Sequence, residues 1–316
     1  MIIVKNLKKY FSTSKGLLRA VDDVSFEILE GQTLGLVGES GCGKSTLGRV
    51  LLRLLEPTSG EVQFDGNNIF ALPPSELKKW RQEAQMIFQD PYASLNPRMT
   101  AQDIITEPLK IHNIDPDPDT IAKSFQQVSL NPHHRCRYPH EFSGGQRQRI
   151  GIARALILNP RFLVCDEPIA ALDVSVQAQI VNLLKDLQKQ MGLTYLFISH
   201  DLRMVRYIAD HVAVMYLGKI VEKAPTELLF QRPLHPYTQA LLSAIPFPDP
   251  VAEKKRTRIA LTGEVPSPIH PPNGGKGCGF CTRCPLAKGV CKETVPELRE
   301  VEPGHFVSCH LVNRSI

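Results

Sequence analysis

The sequence predicts an α/β protein organised around a parallel sheet, and three observations predict it. Wholly apolar runs stand at Leu34-Gly-Leu-Val37, Phe162-Leu-Val-Cys165 and Tyr195-Leu-Phe-Ile-Ser199; a strand buried on both faces needs such a run. Between the last two, Ile180, Leu183, Leu184 and Leu187 fall at i, i+3, i+4 and i+7 within Gln177 to Met191, the spacing of an amphipathic helix. The first run leads through a glycine-rich stretch into Ser45 to Leu55, which has helical spacing and stops before Pro57. Strand, loop, helix and strand in alternation imply parallel pairing.

At 316 residues the chain has room for about two domains. Its 42% hydrophobic and 22% charged residues are ordinary globular values, which excludes collagen, wholesale disorder and a coiled-coil rod. A net charge of +5 over this length gives no argument for nucleic acid as a partner. No run reaches the ~18 apolar residues that a bilayer span needs. The start, Met1-Ile-Ile-Val-Lys-Asn, lacks the pattern of a secretion signal. A chain soluble by itself and cytoplasmic is expected.

Residues 1–245 read as one domain. Within them Pro91 to Pro139 is polar, rich in proline and histidine and only weakly periodic, which marks an inserted, partly helical subdomain; its expected extent is about 91–158. Residues 246–316 read as an extension. Pro246, Pro248, Pro250, Pro266, Pro268, Pro271 and Pro272 crowd its first part, around a basic Lys254-Lys-Arg256. Proline at that density is expected to prevent regular elements there.

Gly38-Glu-Ser-Gly41-Cys-Gly43-Lys44-Ser45-Thr46 fits G-x-x-x-x-G-K-[ST] between a strand and a helix. Gly38, Ser40, Gly41 and Gly43 let backbone N–H groups curl around phosphates, and the helix beginning near Lys44 turns its positive end toward them. Lys44 reaches the β- and γ-phosphates, and the Ser45 hydroxyl, followed by Thr46, suits Mg²⁺. A nucleoside triphosphate, read as ATP with Mg²⁺, is the expected ligand.

Asp166-Glu167 follows the second apolar run directly, at the strand end where open parallel sheets bind ligands. Asp166 is expected to hold Mg²⁺ and Glu167 to polarise the attacking water. His200 ends the next run, where a neutral imidazole could touch the γ-phosphate. A second anion-binding terminus stands at Phe142-Ser143-Gly144-Gly145-Gln146, before a helix from Gln146 to Leu158. Ser143 can cap that helix while the two glycines expose backbone N–H groups. One γ-phosphate has little need of both termini from the same chain, so the second is expected to serve a nucleotide on a partner.

The order of these motifs, with Gln89 before and Ala171-Leu-Asp173 after them, resembles that of an ABC-transporter ATPase subunit over roughly residues 1 to 230. Phe88-Gln89-Asp-Pro-Tyr-Ala-Ser-Leu-Asn-Pro97, Arg137-Tyr-Pro-His140 and His235-Pro-Tyr-Thr-Gln-Ala-Leu-Leu242 are similar to segments of the dipeptide/oligopeptide importer ATPases, as is the cysteine-bearing tail. The resemblance implies a P-loop NTPase (RecA-like) core, an ABC helical subdomain, a small antiparallel β-subdomain and a Cys-rich C-terminal extension. It implies two ATPase subunits closing head to tail, each ATP lying between one phosphate loop and the other chain's Ser143, Gly144, Gly145 and Gln146 counterparts. It makes Gln89 a Mg²⁺-sensing residue, Asp173 a link between the two sites, and Phe11 the adenine-stacking aromatic, with Tyr10 its competitor. The implied partners are two transmembrane permease subunits, a paralogous ATPase subunit and, through the permease, an extracytoplasmic peptide-binding protein; the implied location is the cytoplasmic face of the cell membrane. The same machine moving a nickel chelate, or a soluble ABC ATPase, is the alternative. Ala170 and Phe142 depart from the family pattern: the first removes a hydroxyl beside the Asp173 loop, and the second is expected to be a packing change.

Cys278-Gly-Phe-Cys281-Thr-Arg-Cys284-Pro285, then Cys291 and Cys309, place five thiols within thirty-two positions. Cys42, Cys136 and Cys165 are scattered. C-x₂-C-x₂-C is crowded for a zinc ribbon, and a proline after one cysteine suits an iron–sulfur cluster better. Zinc and plain reduced thiols remain open on the residues alone. The family resemblance implies a [4Fe-4S] cluster on the counterparts of Cys278, Cys284, Cys291 and Cys309, with Cys281 outside the pattern.

Overall fold

A computed structural model describes residues 1–245, 258–261 and 263–312, so Pro246, Pro248, Pro250 and the Lys254-Lys-Arg256 run lie outside the described residues. The chain forms two compact units. One comprises Met1–Ile2, Ile28–Thr33 and Gln63–Ser199; the other comprises Ile3–Glu27, Leu34–Val62 and His200–Ile316.

In chain order the strands and α-helices are β1 (Ile2–Thr13), β2 (Gly16–Ile28), β3 (Thr33–Val37), α1 (Lys44–Leu51), β4 (Ser59–Phe64) and β5 (Asn67–Asn68). Then come α2 (Pro74–Glu83), β6 (Ala84–Ile87), α3 (Pro91–Ser94), α4 (Ala101–Ile111), α5 (Pro118–Gln127) and α6 (Gly144–Leu156). β7 (Phe162–Asp166), α7 (Val174–Met191), β8 (Thr194–Ile198), α8 (Leu202–Ile208), β9 (His211–Tyr216) and β10 (Lys219–Pro225) follow. α9 (Thr226–Gln231), α10 (Pro236–Ser243), α11 (Val290–Glu293), β11 (Arg299–Glu302) and β12 (His305–Val307) complete the described part.

In the unit containing residues 63–199, β6, β7 and β8 pair in parallel, with Ala84 opposite Phe162 and Phe162 opposite Thr194. Every residue of β7 and β8 is buried, as two covered faces require. α7 buries Ile180, Val181, Leu183, Leu184 and Leu187, each contributing roughly 1.5–3 kcal/mol. Asp173 caps its start, and Gly192, at φ 66°, supplies the left-handed residue that ends it. The polar stretch after Pro91 is helical in pieces, as expected: α3, α4 and α5 all pack on α6. Thr100 and Asp117 cap α4 and α5, and Pro118 opens α5 at a position where the missing N–H costs nothing.

In the other unit β2, β1 and β4 lie side by side in that order. Within this unit β11, β12, β10, β9 and β3 also lie side by side in that order, with β3 and β9 parallel and the rest antiparallel. Two expectations are corrected here. α1 ends at Leu51, not Leu55, because Arg53 adopts φ 48° and the N–H groups of Leu54 and Leu55 turn back onto Arg49 O. The proline-rich extension also does hold regular structure. The crowded prolines lie upstream of Arg299, and the turn at Pro303-Gly304 (Gly304 φ 74°) closes a hairpin. β12 then adds to the sheet edge, with Glu222 opposite Val307.

Candidate functional site

The phosphate loop begins where β3 ends. A Cβ at Gly38 would stand 2.2 Å from Met215 O, and one at Gly43 would stand 1.9 Å from Ala20 O. Both positions also hold positive φ, 154° and 111°, so only glycine fits. Gly43 is the N-cap of α1 and brings no side chain to its N–H groups, and the first turn carries no acid; the terminus is left open to an anion. Lys44 is buried, and its Nζ donates to Gly38 O at 2.8 Å and to Glu39 O at 3.0 Å. The ammonium is thus held inside the loop by carbonyls that a phosphate oxygen can replace. Ser40 and Gly41 are exposed, while Ser45 and Thr46 are half-buried on the first turn of α1.

Glu39 is gripped from three sides. Its N–H donates to Tyr237 Oη at 2.9 Å. Its carboxylate accepts both arms of Arg283, NH1 to Oε2 at 2.7 Å and NH2 to Oε1 at 3.0 Å. Arg283 also reaches Tyr216 Oη at 3.5 Å. Tyr237 is set by His235, whose Nδ1 accepts the Tyr237 N–H at 3.0 Å and caps α10. The rings of Tyr216, Tyr237 and Phe280 pack with centroids 4.7–5.4 Å apart. Sequence reasoning missed Tyr216, Tyr237 and Arg283. His235-Pro-Tyr was visible only as a family marker, and Arg283 was hidden among cysteines.

The other unit holds the carboxylates. Asp166 is buried at the end of β7. Glu167 follows at φ 46° with its N–H on Ile198 O at 3.0 Å. A non-glycine residue held in the left-handed region is costly and is found where the surroundings impose it, often at functional sites. Gln89, two residues past β6, donates Nε2–H to Glu167 Oε2 at 2.9 Å, so two residues expected from separate motifs meet directly. Past β7, Asp173 accepts the Val176 N–H at 3.0 Å and the Ser175 hydroxyl at 2.8 Å. These bonds, the Val176 N–H foremost, hold its carboxyl below the usual range. Gln177 steadies the same loop by donating to Ile169 O and Leu172 O. Ala170 is exposed there.

Ser143 caps α6 as expected: its Oγ accepts the Gln146 N–H at 3.3 Å, and Gln146 Oε1 accepts the Ser143 N–H at 3.0 Å. This reciprocal pair is a capping box. Gly144 leaves room for a side chain, but a Cβ at Gly145 would stand 2.5 Å from Val176 Cγ1. Gly145 is therefore demanded by the approach of α7. Phe142 is 3% exposed and meets His134 edge-on, the packing change expected of it.

Of the two candidate aromatics, Tyr10 commits its hydroxyl to Asp22. Phe11 is half-exposed with Lys9 Nζ 4.7 Å from its ring centre. His200 is exposed, immediately after Ser199.

Among the described residues no three Cys, His, Asp or Glu side chains converge as ligands of one ion. Burial pushes the Cys278 and Cys284 thiols up, and neighbouring thiols add to it: Cys281, Cys291 and Cys309 at Cys278, and Cys309, Cys291 and Cys281 at Cys284. Cys281 is buried and accepts the Asn273 Nδ2–H at 3.3 Å. No helix of the described residues is long and apolar enough to cross a membrane.

Comparison with known proteins agrees with this arrangement. Residues 21–170 match the family model for ABC transporters, and residues 221–291 match that for the C-terminal region of oligopeptide/dipeptide transporters. YkfD of Bacillus subtilis (strain 168) is 58% identical over 316 residues, covering 98% of this chain and 95% of the relative. The oligopeptide transport ATP-binding protein AppF of the same organism is 53% identical over 319 residues, covering 98% and 96%. Among solved structures, the ATP-binding cassette MJ0796, a dimer in a post-hydrolysis state with ADP and Pi, is 29% identical with a TM-score of 0.65, covering 72% of this chain and 99% of that one. With a phosphate loop, a buried strand-end aspartate followed by glutamate, a Ser-Gly-Gly-Gln cap and relatives matched along nearly their whole length, this chain belongs to the ABC-transporter ATP-binding proteins of the oligopeptide/dipeptide family.

Proposed function

We propose that the chain is the ATP-hydrolysing, energy-coupling subunit of an importer for di- or oligopeptides. The observation that carries this is the Lys44 ammonium held by Gly38 O and Glu39 O inside a loop only glycine can form. In the reading, residues 1–245 are the nucleotide-binding domain and 246–316 an extension. Gly38, Ser40, Gly41, Gly43, Lys44, Ser45 and Thr46 bind the ATP phosphates. Phe11 stacks on adenine, favoured because the Tyr10 hydroxyl is already engaged. Ser45, Gln89 and Asp166 hold Mg²⁺, which would neutralise charge on the phosphates. Glu167 polarises the attacking water and His200 contacts the γ-phosphate. Ser143, Gly144, Gly145 and Gln146 serve the ATP of a paralogous partner subunit, and Asp173 links the two sites. Two permease subunits and an extracytoplasmic peptide-binding protein complete the machine, with this subunit peripheral on the cytoplasmic face of the membrane.

A [4Fe-4S] cluster on Cys278, Cys284, Cys291 and Cys309 belongs to the same proposal. What supports it is the run of thiols at Cys278, Cys281, Cys284, Cys291 and Cys309, with a proline after Cys284 as in iron–sulfur motifs. Its expected role is structural or redox-sensing, because ATP hydrolysis transfers no electrons.

The test is Glu167→Gln in the reconstituted importer. ATP binding should be unchanged while turnover falls by about 10² or more, the usual size of a lost general base. Appreciable remaining hydrolysis removes the role of Glu167. Purification without two multi-spanning membrane proteins removes the importer.

A further inference from the structure

Glu39 sets an electrostatic problem. It lies inside a loop whose backbone and lysine are arranged for a polyanion, and its carboxylate would oppose that polyanion at short range. The carboxylate is not left to water. Arg283 is 7% exposed and meets it through both guanidinium arms, the planar fork that matches a carboxylate. Arg283 Nε is buried with no hydrogen-bond partner among the described residues. The side chain is therefore aimed at Glu39 at the expense of its own full satisfaction. It comes from the extension, between Cys281 and Cys284, and the neighbouring Phe280 anchors that segment among Tyr216 and Tyr237. All of these residues lie in one unit.

We propose that Arg283 is a positioning residue for nucleotide binding: it neutralises Glu39 and turns its carboxylate away from the triphosphate, so that the cysteine-bearing segment sets the affinity of the phosphate loop. The inference rests on the reading of that loop as the ATP site. Lysine in place of Arg283 keeps the charge but loses the fork, and glutamine loses both. Removing the carboxylate instead removes the problem that Arg283 solves.

The assay measures KM for ATP and kcat in the assembled importer, with direct binding of ATP-Mg to each variant. Arg283→Gln should raise KM about tenfold with kcat within about twofold, the scale of one uncompensated charge near the phosphates. Arg283→Lys should raise it about two- to threefold. Glu39→Gln alone should lower KM, because it leaves the Arg283 charge unopposed near the phosphates, and the double variant R283Q/E39Q should return to within about twofold of the wild type. A merely structural arginine predicts the reverse, a double variant no better than R283Q, and that result overturns the proposal. So does a tenfold higher KM in E39Q alone, which stays informative even where R283Q fails to fold. A wild-type chain that binds no ATP removes the underlying site assignment, a different failure from a wild type that binds and an R283Q that binds equally well.

Discussion

Gln89 donates its amide Nε2–H to Glu167 Oε2 at 2.9 Å, joining the segments just past two neighbouring parallel strands, β6 and β7, in one hydrogen bond. A carboxylate that accepts such a bond is held in one orientation. The contact also gives Gln89 a duty besides its proposed one toward Mg²⁺, because any movement of the segment after β6 is felt at Glu167, the proposed polariser of water.

Replacing that amide by a carboxylate should therefore act on proton affinity with little effect on shape. In Gln89→Glu two carboxyl groups face each other within hydrogen-bond reach, and like charges at that distance keep one of them protonated. The expected outcome is an acidic limb of the kcat–pH profile moved upward by about one unit or more, with kcat at pH 7 reduced about tenfold or more. A profile parallel to the wild type would show that Glu167 does not sense Gln89.

Most of the fold was legible because its signals are local. The buried strands β3, β7 and β8 are continuous apolar runs, and α7 carries its buried face at helical spacing. The phosphate loop was legible because its chemistry dictates residue types at fixed offsets. What escaped depends on contacts distant along the chain. Glu39 and Arg283 are separated by 244 positions, and no periodicity joins them. Gly145 was read as an exposed amide, whereas Val176 on another helix requires it to be glycine. The hairpin of β11 and β12 was missed because the prolines upstream dominated the reading of a segment whose last part contains few.

His235 makes stability depend on acidity. Its ring is 1% exposed, and burial pushes its pKa from 6.5 down to about 4. The neutral ring accepts the Tyr237 N–H. The unfolded chain binds more protons between those two values, so stability is fully present above about 6.5 and is lost as pH falls toward 4, by at most about 3 kcal/mol. His235→Asn keeps a side-chain acceptor for the cap but does not titrate there. Chemical denaturation at pH 7 and pH 5 should show a smaller loss in that variant. Equal losses in the two would assign the dependence elsewhere.

The cysteines divide by what already occupies them. Cys281 is buried with its sulfur taking the Asn273 amide hydrogen at 3.3 Å, and it is the one thiol of the cluster outside the implied ligand set. If Cys278, Cys284, Cys291 and Cys309 bind a [4Fe-4S] cluster, anaerobically purified wild-type protein should be brown, absorb broadly near ~400 nm and carry about four iron atoms per chain. Cys281→Ala should keep that colour and iron, because the lost hydrogen bond lies outside the cluster. Cys284→Ser should lose most of both, since a hydroxyl is a poor replacement for a thiolate ligand. The tail would also loosen, because metal binding contributes directly to the folding of segments with little core. Stoichiometric zinc without iron in the wild type would replace the cluster by the single-ion alternative. Iron lost equally from both variants would move Cys281 into the ligand set and overturn the division drawn from its bond to Asn273.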